Sequence, residues 1–548
     1  MRSFRSFAAG GRSAKAGAVS PRPRGWRKAG GSRRRSRGGR FRPACEALEA
    51  RCLLSAQAWP TLPLGPAPDA GTYSGLAAAT VLTASASSGG ECSVGLSRVL
   101  GGPDWDEITA ATRDAQGNII VCGHTWSADF ISGGFDAFVA KLTASGELLW
   151  ATYLGGEDDG DDDAAMGVAV DAQDNIIVAG YTRSSGWVSG GYDTSYGGAG
   201  DGFVAKISPQ GDHLWSTYLG GSAYDGVEAV VCDADGNIYT AGTTGSSGWG
   251  LGGFDPGYNG GTFDGFLAKL SPNGARLWAS FVGGDAWDTA SDLALTPDGG
   301  LVVVGKASSS DWIAGGSQTA YLGGGFDAYA LKATADGQRL WSTYLGGSGE
   351  DAAVSVAVNA DGRIIIAGET ASAAWPAGIT SGAYGGGKDV FLTALAGDGD
   401  SVLWTTLLGG AGDEQSGRLF TDASGGGYLA GTTSSPGWCS GGLDDVLDGT
   451  DDGFLVRFDP SGATEWSTYL GGGGLDYARA AVDGGDGSLL IVGGTASPDW
   501  PLLNPEEDLQ GERDGFLLRL DLPRPTSLED LGTIDFLLVP DLAMGTAG

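Results

Sequence analysis

The sequence predicts an all-β fold, a seven-bladed β-propeller built from four-stranded blades. Three phrases each occur seven times between residues 96 and 520. The phrase Asp-(Gly/Ala)-Phe-(Val/Leu)-Ala-Lys-Leu, with variations, begins every 62 to 65 residues, at Asp136, Asp201, Asp264, Asp327, Asp389, Asp452 and Asp514. Between the phrases lie short β-branched and aromatic runs bounded by glycine, without helical periodicity. Four strand-like segments in a repeat of this length are typical of a propeller blade.

One repeat shows how the strands are assigned. Residues 353–358 alternate between two faces, and the turn at residues 359–362 ends in glycine, as expected for a hairpin leading into residues 363–368. After a glycine-rich loop come strands at 389–395 and 402–408. A tryptophan recurs in the fourth strand and is predicted to pack between blades: Trp150, Trp215, Trp278, Trp341, Trp404 and Trp466.

The two ends of the repeat array predict how the ring closes. The seventh unit ends after a third strand at 514–520, and prolines follow. Residues 96–102 carry the Leu-Gly-Gly ending of every fourth strand but precede the first unit. Because an unpaired sheet edge invites aggregation, we expect this N-terminal strand to complete the last blade.

Charge and composition divide the chain into four parts. Residues 1–51 carry 15 basic and 2 acidic side chains, which leaves 18 basic and 64 acidic side chains, a net charge of −46, for residues 52–548. We predict a disordered basic leader with a sorting segment at 1–56, a linker at 57–90, the propeller at 91–522 and a C-terminal tail at 523–548.

Several functions are disfavoured by composition. An acidic body repels nucleic acid and anionic membrane surfaces. No apolar run is long enough for a membrane-spanning helix, and two histidines, His124 and His213, leave little room for histidine or zinc chemistry. The six cysteines contain no CxxC and are interpreted as buried or free thiols rather than a disulfide framework.

Two resemblances to known families follow from these motifs. The phrases DGFVAK, LWSTYLGG and NIIVAG resemble the bacterial β-propeller repeat known as SBBP, over residues 96–520. That family is mostly found in exported or surface proteins, so the resemblance implies a propeller outside the cytoplasm. Residues 45–56 resemble the LEPR-xLL sorting segment of exported bacterial proteins. Ala50 replaces the usual proline, and the matching residues are Leu48, Glu49, Arg51, Leu53, Leu54 and Ser55.

A carboxylate recurs shortly after each Gly-Gly: Asp106, Asp163, Asp225, Asp288, Asp351, Asp413 and Asp476. The chain crosses here from an outermost strand to the next innermost strand. These side chains should therefore form an acidic ring near one mouth of the central channel. We expect them to accept backbone hydrogen bonds in a structural role. Cation binding is the alternative, since Ca²⁺ takes six to eight oxygen ligands.

One crossover is longer and almost entirely acidic. Its candidate metal ligands are Glu157, Asp158, Asp159, Asp161, Asp162 and Asp163. A solvated loop explains so many like charges most simply, whereas bound calcium would relieve their repulsion. This loop therefore suggests Ca²⁺ as a cofactor.

For function, the sequence favours a non-catalytic exported or cell-surface binding or scaffold module, with a protein or polysaccharide as partner. We expect a monomeric propeller. The alternative is a propeller enzyme, either a quinoprotein-like dehydrogenase or a glycan-active enzyme. A pair of catalytic carboxylates cannot be singled out among so many acids.

Overall fold

The chain is built from β-strands joined by turns and loops. The computed structural model describes residues 83–85, 91–127, 135–156, 162–376, 378–500, 509 and 511–522, which all belong to one compact unit, residues 49–548. No α-helix occurs among these described residues, and they accordingly contain no helix able to cross a membrane. The predicted leader, most of the predicted linker and the C-terminal tail lie outside the described residues.

Two strands precede the repeats, β1 (Thr83–Ser85) and β2 (Glu91–Leu100). Repeats 1 to 5 then each form one sheet of four antiparallel strands in chain order. Their strands are β3 (Asp106–Arg113), β4 (Ile119–Thr125), β5 (Asp136–Leu142) and β6 (Leu148–Leu154); β7 (Asp163–Val170), β8 (Ile176–Thr182), β9 (Asp201–Ile207) and β10 (His213–Leu219); β11 (Asp225–Cys232), β12 (Ile238–Thr244), β13 (Asp264–Leu270) and β14 (Arg276–Val282); β15 (Asp288–Leu295), β16 (Leu301–Ala307), β17 (Asp327–Ala333) and β18 (Arg339–Leu345); β19 (Asp351–Val358), β20 (Ile364–Thr370), β21 (Asp389–Leu395) and β22 (Val402–Leu408).

Repeats 6 and 7 share a single nine-stranded sheet. Repeat 6 contains β23 (Glu414–Thr421), β24 (Gly427–Thr433), β25 (Asp452–Phe458) and β26 (Thr464–Leu470), and repeat 7 contains β27 (Asp476–Gly485), β28 (Ser488–Thr495) and β29 (Asp514–Asp521). The two groups are joined by one parallel pair, Arg418 with Ala480. The described residues therefore form six sheets, whereas the sequence predicts seven separate ones, because two first strands approach closely enough to pair.

Strand β2 lies beside β29 on the outer side of repeat 7 and runs antiparallel to it, and the short β1 pairs with the start of β2. Ser97 pairs with Leu518 and Val99 with Phe516. Leu96 of β2 is only 2% exposed and packs in one apolar cluster with Ile108 of β3. The N-terminal strand thus contributes to the core between the first and the last repeat.

The sheets bury both of their faces, which explains the nearly continuous apolar runs in the sequence. Every residue of β9, β13 and β17 is buried. The recurring tryptophan lies between neighbouring repeats, as predicted: Trp278 is buried, and its indole N–H donates to the backbone carbonyl of Ala335 in the next repeat at 3.1 Å. Its ring lies against Gly337, where a Cβ atom would come within 2.9 Å of it.

Candidate functional site at the channel mouth

An acidic side chain begins the first strand of each repeat and is held by a repeated set of donors. Asp225 accepts hydrogen bonds from the Ser246 hydroxyl at 2.7 Å, from the Gly221 N–H at 2.7 Å and from the Thr244 hydroxyl. The same Thr, Ser and Gly donors surround Asp476. These hydrogen bonds satisfy the buried carboxylate and fix its position against the backbone of the crossover. The arrangement is that of a structural residue.

The Gly-Gly phrase is explained by the same cluster. A Cβ atom on Gly283 would lie 2.5 Å from an oxygen of Asp288, and one on Gly284 would lie 2.8 Å from the Cβ of Ser309. Contacts this short are prohibited, so neither position tolerates a side chain without movement of its neighbour. The sequence motif therefore reflects a tight crossover built around one buried carboxylate.

Repeat 6 departs from the predicted ring. Asp413 is exposed and lies one residue before β23, whereas Glu414 occupies the first position of the strand and accepts from the Thr433 hydroxyl at 2.7 Å and the Gly410 N–H at 3.0 Å. The assignment of Asp413 to the ring was therefore wrong. The spacing of eight residues to the hairpin turn at Asp422 identifies Glu414 instead.

Only two of the predicted metal ligands in the acidic crossover are described. Glu157, Asp158, Asp159 and Asp161 lie outside the described residues. Asp162 forms an ion pair with Arg183 at 2.7 Å, and Asp163 accepts from Thr182 and Ser184 like its counterparts. Within the described ranges no three His, Cys, Asp or Glu side chains are grouped to hold a metal ion, and calcium binding by the whole crossover stays a prediction.

The first strands of all seven repeats line one cavity of about 500 Å³. Most of its lining residues are apolar, and the polar ones include Thr112, Asp292, Ser355 and Arg418. A cavity of this volume is of the size that small ligands occupy. Strands from every repeat meet at this cavity, which we call the channel.

Bulges interrupt the pairing of the first strands beside the channel. In most repeats one residue is left out of the pairing between the first and second strands, and in repeat 3 that residue is Glu228. In repeat 6 the shift is larger, between Ser416 and Leu419, and it releases Arg418 from the pairing with β24. A bulge re-aims side chains in this way. Sequence reasoning missed these residues, although Gly417 and Arg418 stand where the first strand of repeat 5 has Val354 and Ser355.

Arg418 reaches from repeat 6 to two other repeats. It forms an ion pair with Asp292 of repeat 4 at 2.7 Å and donates to the Glu228 backbone carbonyl of repeat 3 at 2.8 Å. Asp292 also accepts from the Ser355 hydroxyl at 3.0 Å. Burial raises the pKa of the Glu228 carboxyl, and the charge of Arg418 opposes that shift. This network therefore ties repeats 3, 4, 5 and 6 together across the channel.

One end of the sheets forms a surface that we call the mouth face. In an antiparallel sheet the starts of the first and third strands and the end of the second strand lie at the same edge. We define the mouth face by the residues preceding each first and third strand and by the residue next to the end of each second strand. In repeats 1 to 4 these are Trp105, His124, Phe135, Asp162, Tyr181, Gly200, Tyr224, Thr243, Phe263, Trp287, Lys306 and Phe326; in repeats 5 to 7 they are Glu350, Glu369, Lys388, Asp413, Thr432, Asp451, Leu475, Gly494 and Arg513.

An aromatic arc runs along repeats 2 to 4 of the mouth face. Tyr181, Tyr224, Phe263, Trp287 and Phe326 each contact the next ring, with centroid separations of 6.1, 6.0, 5.7 and 5.4 Å. Trp287 is 42% exposed. The arc is therefore a continuous apolar surface that remains open to solvent.

A second aromatic cluster lies where repeat 1 meets repeat 7. Trp105 and Trp126 stack at 6.5 Å and are 40% and 51% exposed. The Arg513 guanidinium lies 4.7 Å from the centre of the Trp105 ring and 3.6 Å from Glu107. The cluster combines exposed rings with fixed charged groups. By contrast, repeats 5 and 6 present mainly charged side chains at the equivalent positions.

The repeated antiparallel sheets define the class of protein: an all-β repeat protein with a propeller-type fold. No family model matches the chain. An uncharacterized WD repeat-containing protein of Acanthamoeba polyphaga mimivirus is 23% identical over 446 residues, which cover 66% of this chain and 31% of the relative. The chain thus spans about a third of the length of this curated relative.

Two solved structures are similar to the chain at low sequence identity. The WD40 domain of Neurospora crassa Pan2 is 9% identical with a TM-score of 0.40, and the match covers 78% of this chain and 96% of that domain. A europium-containing methanol dehydrogenase is 10% identical with a TM-score of 0.37, covering 78% of this chain and 93% of that enzyme.

Proposed function

We propose that the chain is a closed seven-bladed propeller that acts outside the cytoplasm as a non-catalytic binding module, with its ligand on the mouth face. Three features support the ring: the first strands of all seven repeats line one cavity, β2 supplies a fourth strand beside β29, and one apolar cluster joins β2, β3 and β28. In a ring closed in this way, every sheet packs against a neighbouring sheet on both of its faces.

The exposed aromatic rings of the mouth face carry the proposal of binding. Large apolar side chains grouped on a surface mark interaction sites. The ligand class that suits them best is a neutral polysaccharide, because sugar rings pack their apolar C–H faces on aromatic rings while their hydroxyls bind neighbouring polar groups. The net charge of −46 on residues 52–548 disfavours an anionic polymer.

Affinity electrophoresis through gels containing neutral polysaccharides tests this proposal. We expect one of the polysaccharides to retard the native protein. The single substitutions Trp105→Ala and Trp287→Ala on the mouth face, and Trp126→Ala on the ring stacked against Trp105, should each weaken that retardation by about tenfold in affinity, as for interface aromatics generally. Leu340→Ala is the matched control, because Leu340 is 54% exposed but lies in β18, outside the mouth face.

Retardation that is equal in all four variants would contradict a polysaccharide site on the mouth face. If no polysaccharide retards the protein, a protein ligand is the other partner that the sequence predicts. Crosslinking of the native protein to proteins of the host's culture medium, repeated with Trp287→Ala, then tests whether the same face is used.

A further inference from the structure

Each junction between successive repeats brings two carboxyl groups together. One belongs to the first strand of a repeat and the other begins the third strand of the preceding repeat. Asp351 and Asp327 form such a pair: the N–H of Asp351 donates to the carbonyl of Phe326, the neighbour of Asp327, at 2.9 Å. Both side chains are fully buried.

The two carboxyl groups of a pair differ in their hydrogen bonds. Asp351 accepts from the Thr370 hydroxyl, the Ser372 hydroxyl and the Gly347 N–H. Asp327 accepts from the Leu322 N–H through Oδ2, but its Oδ1 is buried without a partner in the described structure. Among the described residues, three equivalent Oδ1 atoms are also buried without a partner, those of Asp201, Asp264 and Asp389, whereas Asp452 Oδ1 accepts from the Gly449 N–H at 3.2 Å. Because the partner of this oxygen is missing in four repeats, the unpartnered Oδ1 is a property of the repeated motif.

The members of a pair are also close. At the junction of repeats 5 and 6, Glu414 Oε2 and the carboxyl carbon of Asp389 both lie within 3.3 Å of one point, the position that a Cβ atom on Gly409 would occupy. Two ionised carboxylates at such a distance in a buried site repel each other strongly. A proton on the acid with the unpartnered oxygen removes the repulsion and supplies the missing donor.

We propose that the third-strand aspartate of these pairs holds a proton that it donates toward the first-strand carboxylate, and that the fold is thereby stabilised at mildly acidic pH. The ionisable groups that face Asp327 are Asp351, Tyr321 and Tyr344, and none of them is cationic at neutral pH. Burial first, and then the charge of Asp351, raises the pKa of Asp327 to about 7. The pKa of Asp201 and of Asp264 is raised to the same value.

The sign of the pH effect follows from these shifts. The folded state keeps the proton up to about pH 7, whereas an unfolded aspartate with a pKa of 3.8 loses it earlier. The stabilisation is complete below pH 3.8 and is lost as the pH rises through 7. Over this range the ratio of folded to unfolded protein falls by up to about tenfold per pH unit for each acid. His124 and His213 act in the opposite direction, because burial lowers the pKa of both imidazoles.

Urea unfolding of the full chain between pH 5 and 8.5, with chelator present, tests the proposal. Asp327→Asn mimics the protonated acid. We expect the ratio of folded to unfolded protein for Asp327→Asn, relative to that of the native chain, to rise at least tenfold between pH 5 and pH 8. The histidine contribution is the same in both proteins and cancels in this comparison. The control Asp351→Asn replaces an acceptor of three donors and should lose stability at every pH.

Parallel pH profiles for the native chain and Asp327→Asn would overturn the proposal. If Asp327→Asn does not fold, infrared spectra of the native protein decide. The carbonyl band of a buried, protonated carboxyl should be present at pH 6 and lost by pH 9, and its absence at pH 6 would also overturn the proposal. Calcium that stabilises the native chain at pH 8 but not Asp327→Asn would make the pair a cation site instead.

Discussion

Single glycines allow the buried carboxylates of the crossovers to approach the backbone. Gly346 adopts φ +127°, and a Cβ atom there would collide with a carboxyl oxygen of Asp351. Gly362 also has a positive φ, +77°, but a Cβ atom there would meet nothing within 4 Å. Gly346 is required both by its backbone conformation and by the lack of space for a side chain, whereas Gly362 is required by its backbone conformation alone.

This difference predicts unequal costs for two substitutions of the same kind. We expect Gly346→Ala to lower the free energy of unfolding by about 2–3 kcal/mol, since backbone strain adds to a contact with a buried carboxylate. Gly362→Ala is the control and should cost about 1 kcal/mol from strain alone. Urea unfolding measures both, and equal losses would show that the carboxylate moves aside without cost.

At the scale of the strand, the N-terminal β2 completes a sheet that the C-terminal repeat leaves short. Val94 and Leu96 are 3% and 2% exposed, so β2 contributes apolar surface as well as backbone pairing. Each fully buried side chain of this kind is worth about 1.5–3 kcal/mol. The strand also covers the edge of β29, which would otherwise present unpaired backbone groups.

Deletion of residues 91–102 is therefore expected to lower the stability of the domain by at least about 3 kcal/mol and to promote aggregation. Deletion of residues 57–82 is the control, because it shortens the N-terminal region by a larger number of residues but leaves β1 and β2 in place. Thermal unfolding and size-exclusion chromatography give the two readouts. Equal stability of the two deletions would contradict a role for β2 in closure.

For the whole molecule, the unequal charge of its parts bears on where it works. A basic leader precedes a body with a net charge of −46, and the segment at residues 45–56 resembles a sorting signal. A strongly acidic body stays soluble and disfavours contact with nucleic acid or anionic membranes. Both features fit the proposed site of action outside the cytoplasm.

A reporter fused after Ala56 tests that address. We expect it to leave the cytoplasm of the native host, and the double substitution Leu53→Asp and Leu54→Asp to retain it, because the charges disrupt the apolar part of the segment. Substitution of Arg2 and Arg5 by Gln, which leaves the segment intact, is the control. Export that is unchanged by the leucine substitutions would contradict the sorting role.

Much of the fold could be predicted from the sequence because it depends on local, repeated patterns. The alternation of residues 353–358, the glycine turns and the sevenfold phrases determine strand positions to within a residue or two. The leftover strand at residues 96–102 indicated its partner, since it carries the ending of a fourth strand. The Asp after Gly-Gly was found the same way in six repeats, because the spacing recurs.

The tertiary structure decided what depends on contacts between distant residues. Nothing local in β23 says that Arg418 pairs with Asp292, 126 positions away, or that a wider bulge releases it. The aromatic arc joins residues of three repeats, and the carboxyl pairs join two, so neither exists within one repeat unit. Sequence periodicity reports which face of a strand is buried, whereas these sites arise from how the sheets pack around the channel.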